Sequence, residues 1–217
     1  MAGLVFVVAG LAFGAAPAGA EDSERDGLSR LLDGMAKSAG FEGRFVEEVE
    51  LALLREPVRS EGALYFAPPD RLARFTTHPA NTALLIDGKR VEFRDADGSR
   101  VDLSSSPLAR HFTGNLLLLF SGDREALESQ YRVSFDEADA AWKLVLIPRH
   151  APLSKALSHI TLEGREGVLE HMEVLDSEGA RTVTHLRQVR SDHSFPASEL
   201  TRLFADGRPL PRHSEAR

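Results

Sequence analysis

Between residues 41 and 53 side-chain character alternates with the period of an extended strand, and that alternation constrains everything downstream. Phe41, Gly43, Phe45, Val49, Leu51 and Leu53 fall on one side, interrupted by Glu47, while Glu42, Arg44, Glu48 and Glu50 fall on the other. This is the pattern of a sheet with one wet face. A turn-prone run from Arg55 to Gly62 leads into a second apolar stretch, residues 63–67. Pro68-Pro69-Asp70 ends it, because proline cannot donate to a ladder. A long, twisted, one-sided hairpin is expected.

The same logic continues along the chain. Residues 82–86 and 90–94 flank Asp87-Gly88, a strong hairpin signal, and a second turn at residues 95–98 precedes residues 100–103. Residues 131–135, 141–147, 158–162, 168–174 and 181–189 read as further short strands, which together imply an antiparallel sheet curling on itself. Helices punctuate it. Leu28, Leu31, Leu32, Met35, Ala36 and Ala39 form one stripe of an amphipathic helix over residues 21–40, either docked on the sheet or acting as a lid. Ser106-Pro107 opens a run ending in Leu116-Leu-Leu-Leu-Phe120. Periodicity does not separate buried helix from buried strand there, and the flanking caps and leucines favour helix. Residues 123–130 and 196–204 read as short helices.

Residues 1–20 hold no ionisable side chain and end in Ala18-Gly19-Ala20 before Glu21, which reads as a signal peptide, with an uncleaved anchor as the alternative. The expected division is a signal over 1–20, one domain over 21–205 and a flexible polar tail over 206–217. No cysteine is present, so in an exported chain the core must supply stability without disulfides. A net charge of −7 argues against nucleic acid and anionic membrane surfaces as partners.

Reactive signatures are absent: no G-x-S-x-G, no H-E-x-x-H, no phosphate loop and no cysteine nucleophile. His159, His171 and His185 fall on successive expected strands, the one hint of a metal site, but without close ligand spacing they read as solvated side chains. Neither catalysis, nor a metal, nor another cofactor is expected.

The order F-x-G-x-F at Phe41, a Gly shortly before an aromatic, Pro69-Asp70, Pro79 ten residues later and the Asp87-Gly88 turn resembles the periplasmic outer-membrane lipoprotein carrier family, LolA and its LolA-like relatives. The resemblance implies a mainly β fold with α-helices: an incomplete, half-open antiparallel β-barrel whose helices cover a concave face. It also implies a monomeric periplasmic carrier sheltering acyl chains of lipoproteins or a related lipid. An inner-membrane ABC-type exporter and an outer-membrane acceptor would be its partners. Phe45, Val49, Leu51, Leu64, Phe66, Phe93, Val101, Trp142 and Leu144 are the candidates for the cavity wall, each equally consistent with core packing. Leu108, Leu116, Leu117 and Phe120 are the candidate lid. Family members often carry Arg where this chain has Pro68, so Arg71 or Arg74 becomes the candidate latch. A membrane-held acceptor of the same fold, or an envelope enzyme with an apolar substrate, are the alternatives.

Overall fold

The structure, a computed structural model, describes residues 18–106, 117–118 and 121–211. Six strands, β1 (Phe41–Glu50), β2 (Val58–Ala67), β3 (Arg71–His78), β4 (Thr82–Asp87), β5 (Arg90–Arg94) and β6 (Arg100–Asp102), make one meander. Five more, β7 (Tyr131–Ala138), β8 (Ala141–Pro148), β9 (Leu157–Arg165), β10 (Val168–Asp176) and β11 (Arg181–Ser191), make a second. Antiparallel pairing of β1 with β11 joins them into one 11-stranded sheet running from β6 at one edge to β7 at the other. The sheet does not close. It is the open antiparallel barrel that the sequence leads one to expect.

Helix α1 (Ala18–Lys37) ends three residues short of Gly40, where the chain turns at φ +135 into β1. A side chain at Gly40 would lie 2.5 Å from the Phe66 carbonyl oxygen, so only glycine passes that corner. Leu28, Leu31 and Leu32 of α1 bury themselves against Phe135, Leu144 and Leu162, and burial of each such side chain is worth about 1.5–3 kcal/mol. We call the face carrying α1 the inner face. Helix α2 (Arg124–Gln130) starts where the Asp123 carboxylate accepts the Ala126 N–H at 2.9 Å, and α3 (Leu153–Ala156) is a single turn before β9. Among the described residues no helix is long and apolar enough to cross a membrane.

One expectation is corrected. Strands β2 to β5 are buried on both faces rather than wet on one, because the C-terminal segment covers their outer side. Helix α4 (Ala197–Leu200) and the π-turn Thr201–Ala205 that continues it bring Leu203 and Phe204 onto Tyr65, Ala73, Phe75, Ala83 and Leu85. The tail expected from residue 206 joins this layer as far as Leu210, which is buried and donates its N–H to the Tyr65 hydroxyl at 3.2 Å. Two charged residues of β5, Glu92 and Arg94, are thereby buried together. Arg94 donates to Glu92 at 2.5 Å and to the Asp206 carbonyl at 2.6 Å, so the pair and a backbone acceptor satisfy one another. Residues 1–17 and 212–217, the ends of the expected signal and tail, lie outside the described residues.

Candidate functional site

Directly paired residues on neighbouring strands point to the same side of a sheet. Val101, Phe93, Leu84, Arg74, Leu64 and Gly43 are successive partners from β6 to β1, and Glu47, Thr184, Met172, Leu162, Leu144 and Phe135 continue from β1 to β7. Leu144 and Leu162 pack against α1, so this whole row is the inner face. Register therefore places Phe45, Val49, Leu64, Phe66, Phe93, Val101, Trp142 and Leu144 on one wall. Their burial is graded. Phe45, Phe66, Trp142 and Leu144 are buried, Val49, Leu64 and Phe93 half-buried, and Val101 is 47% exposed. Leu51 lies just beyond β1 in the turn to β2 and is exposed. The buried Trp142 carries an indole N–H with no hydrogen-bond partner among the described residues.

A cavity of about 370 Å³ opens on this face between α1 and strands β1, β2, β10 and β11, lined by Met35, Phe41, Phe66, Leu169, Leu186 and Val189 among others. Of the wall candidates named from sequence only Phe66 lines it. Leu186 and Val189 were missed because their position depends on the pairing of β1 with β11, residues roughly 140 apart in the chain. Phe41 carried a readable signal in the alternation of β1.

Arg71 and Arg74 sit three residues apart on one strand and so face opposite ways. Arg71 is on the outer face, donating to Asp87 at 2.6 Å with its guanidinium 5.8 Å from the Phe204 ring centroid. Arg74 is on the inner face. It donates to Glu47 at 2.7 Å and lies 4.3 Å from the Phe45 ring centroid. Of the expected lid, Leu108, Leu116 and Phe120 lie outside the described residues. Leu117 is helical and half-buried, and its neighbour Leu118 packs against the α1 cluster on the inner side.

All three histidines lie on the outer face, but only two of them meet. His171 and His185 are cross-strand partners with Nδ1 atoms 3.3 Å apart, and His159 Nε2 is 3.9 Å from Glu173, which Arg181 holds at 2.5 Å. Among the described residues no group of three or more His, Asp or Glu side chains is arranged to hold a metal ion. Burial, and secondly the neighbouring His185, push the His171 pKa below its ordinary 6.5. A histidine that prefers to be neutral when folded stabilises the fold above the unfolded-state value, and that contribution is lost as pH falls through the folded-state value. Urea unfolding midpoints should therefore drop between about pH 7.5 and pH 5 in the parent, and less in His171→Asn. An identical pH slope in the variant overturns this.

The family model described as outer membrane lipoprotein carrier protein LolA matches residues 36–202. An outer-membrane lipoprotein carrier protein of Azotobacter vinelandii is 24% identical over 195 residues, covering 90% of this chain and 91% of that one. One from Pseudomonas syringae pv. tomato is 25% identical over 189 residues, covering 87% and 88%. Among solved structures, a LolA superfamily protein from Nitrosomonas europaea aligns with a TM-score of 0.45 at 12% identity, covering 80% of this chain and 95% of that one.

Proposed function

The chain belongs to the outer membrane lipoprotein carrier family LolA, and from that premise we propose that it shelters acyl chains of a lipoprotein, or of a related lipid, on the inner face of its sheet and carries them from the inner to the outer membrane. The observation that supports this most is the gradation of the inner wall. Apolar side chains that are only half-buried, such as Val49, Leu64 and Phe93, line an unclosed sheet beside a cavity of about 370 Å³, within the size range of ligand sites. A sheet filled by its own side chains has no need of them.

Transferring an acyl chain of about sixteen carbons out of water is worth roughly 12 kcal/mol at about 0.8 kcal/mol per methylene. Exchange between a membrane and this cavity is then nearly balanced. Loading needs an energy source and release needs a stronger acceptor, the roles we assign to an inner-membrane ABC-type exporter and an outer-membrane acceptor. In this reading the chain is exported to the periplasm with residues 1–20 removed, and Leu108, Leu116, Leu117 and Phe120 belong to a lid that shields the cavity. Arg74, the arginine on the inner face, is the latch in this reading. The work is binding and release, for which no catalytic group is needed. Mass spectrometry of lipids co-purifying from the native envelope tests the reading: acylated cargo supports it, and protein that emerges empty and takes up no fluorescent fatty-acyl probe overturns it.

One observation favours a second reading, an acceptor that works at the membrane. The β1–β2 turn exposes Leu51, Leu53 and Leu54, with Leu53 97% exposed, next to Arg55. An apolar tip flanked by a base suits a bilayer interface. If the tip enters lipid, the parent floats with phosphatidylglycerol-containing vesicles and Leu53→Glu does not. Equal flotation of the two, or none of the parent, removes this reading.

A further inference from the structure

We propose that Arg74 and Glu47 form a polar receptor in the apolar inner wall that binds the carbonyl oxygen of an ester or amide at the head of an acylated cargo, an inference that rests on the carrier reading above. Glu47 breaks the apolar alternation of β1 on the inward side, between Phe45 and Val49. Its Oε1 accepts from Arg74 at 2.7 Å and from the Ser60 hydroxyl at 3.3 Å, and its Oε2 accepts from the Thr184 hydroxyl at 3.1 Å. The carboxylate is thus fixed from β2, β3 and β11 at once. Arg74 reaches across β2 to it and rests over the Phe45 ring, an arrangement that holds a guanidinium flat.

The two partners differ in what they have left to give. Glu47 is supplied with donors on both oxygens. Arg74 makes only the Glu47 hydrogen bond among the described residues, and its side chain is the more open, 31% exposed against 18%. Its remaining N–H groups are directed by the fixed plane of the guanidinium. Around it the wall is apolar and half-buried, with Leu64 and Leu84 its direct neighbours on the flanking strands.

Stability alone does not account for such a pair, since an ion pair drawn partly out of water commonly stabilises no better than apolar residues of the same volume. Ligand chemistry does. An acyl chain entering the cavity brings its carbonyl away from water, which is costly unless a donor replaces the lost hydrogen bonds. Glu47 makes the receptor neutral overall, so a neutral acceptor suits it better than an anion, which would meet the carboxylate beside its donor. A site that donates to such a group also rejects an analogue lacking it.

The test compares three pyrene-terminated probes of equal chain length: hexadecane, palmitic acid methyl ester and free palmitate. The parent should bind the ester about tenfold more tightly than the hydrocarbon. Arg74→Met should erase that preference, so that ester and hydrocarbon bind the variant equally. The double variant Glu47→Gln/Arg74→Met, which leaves no unpaired carboxylate, should behave the same way and stands in if the single variant unfolds. Equal binding of ester and hydrocarbon by the parent, or a preference that survives in the variants, overturns the receptor while the carrier reading stands. Equal weakening of both probes makes Arg74 a latch only, and palmitate binding above the ester makes the site an anion receptor; either result overturns the proposal. Uptake of none of the three overturns the carrier reading and the receptor together.

Discussion

Val189→Asp should lose binding of a fluorescent acyl probe by at least about a hundredfold, because the incoming chain would have to strip water from a carboxylate, a cost of several kcal/mol. Val189 lines the cavity of about 370 Å³ together with Phe41, Leu169 and Leu186. It is there because of a bulge. Arg187 pairs with Arg44 and Arg190 with Glu42, so Gln188 and Val189 together oppose Gly43, and the extra residue turns Val189 inward. The Cβ that a side chain at Gly43 would add lies 3.3 Å from Val189 Cγ2, so the two positions are in contact across the pair. Val189 is only half-buried, so the aspartate can reach water in the empty protein and the sheet should survive. Val189→Leu is the control and should retain uptake. Unchanged uptake by a natively folded Val189→Asp removes this cavity from the acyl path.

A second substitution of one atom should damage the fold itself. Gly164 sits in β9 between Trp142 on β8 and Leu169 on β10. A methyl group there would fall 1.9 Å from the Val168 carbonyl oxygen and 2.6 Å from the Trp142 ring. One obstacle is backbone and the other a buried indole, so neither yields cheaply. We expect Gly164→Ala to cost about 3 kcal/mol or more, lowering Tm by roughly 6–12 °C for a domain of this size. Gly34→Ala is the counterpart. No atom beyond its chain neighbours and the adjoining backbone of its own helix lies within 4 Å of the added methyl, and the position is inside α1, so removal of a helical glycine should raise stability by about 0.5–1 kcal/mol. Calorimetry that finds Gly164→Ala as stable as the parent would show that β9 and β10 can move apart here.

The sequence by itself determined what is local in this protein. Period-2 alternation marks β1 and the Asp87-Gly88 turn marks the β4–β5 hairpin, because each depends on neighbours a few residues away. The opposed directions of Arg71 and Arg74 were equally legible, since three residues along a strand is an odd step. The motif order from Phe41 to Gly88 carried the family in the same way. What the tertiary structure alone decided is which surfaces meet. Pairing of β1 with β11 joins the two meanders, and only that register brings Leu186 and the bulge-turned Val189 beside Phe41 and α1. Alternation counted along β11 alone would have sent Val189 to the other face from Leu186. Likewise Leu210, in a segment whose composition reads as a polar tail, is buried because Tyr65 and Arg94 on distant strands bind the backbone around it. Contacts between residues more than a hundred positions apart leave no periodic trace in the sequence, since packing sets no fixed spacing between the partners it selects.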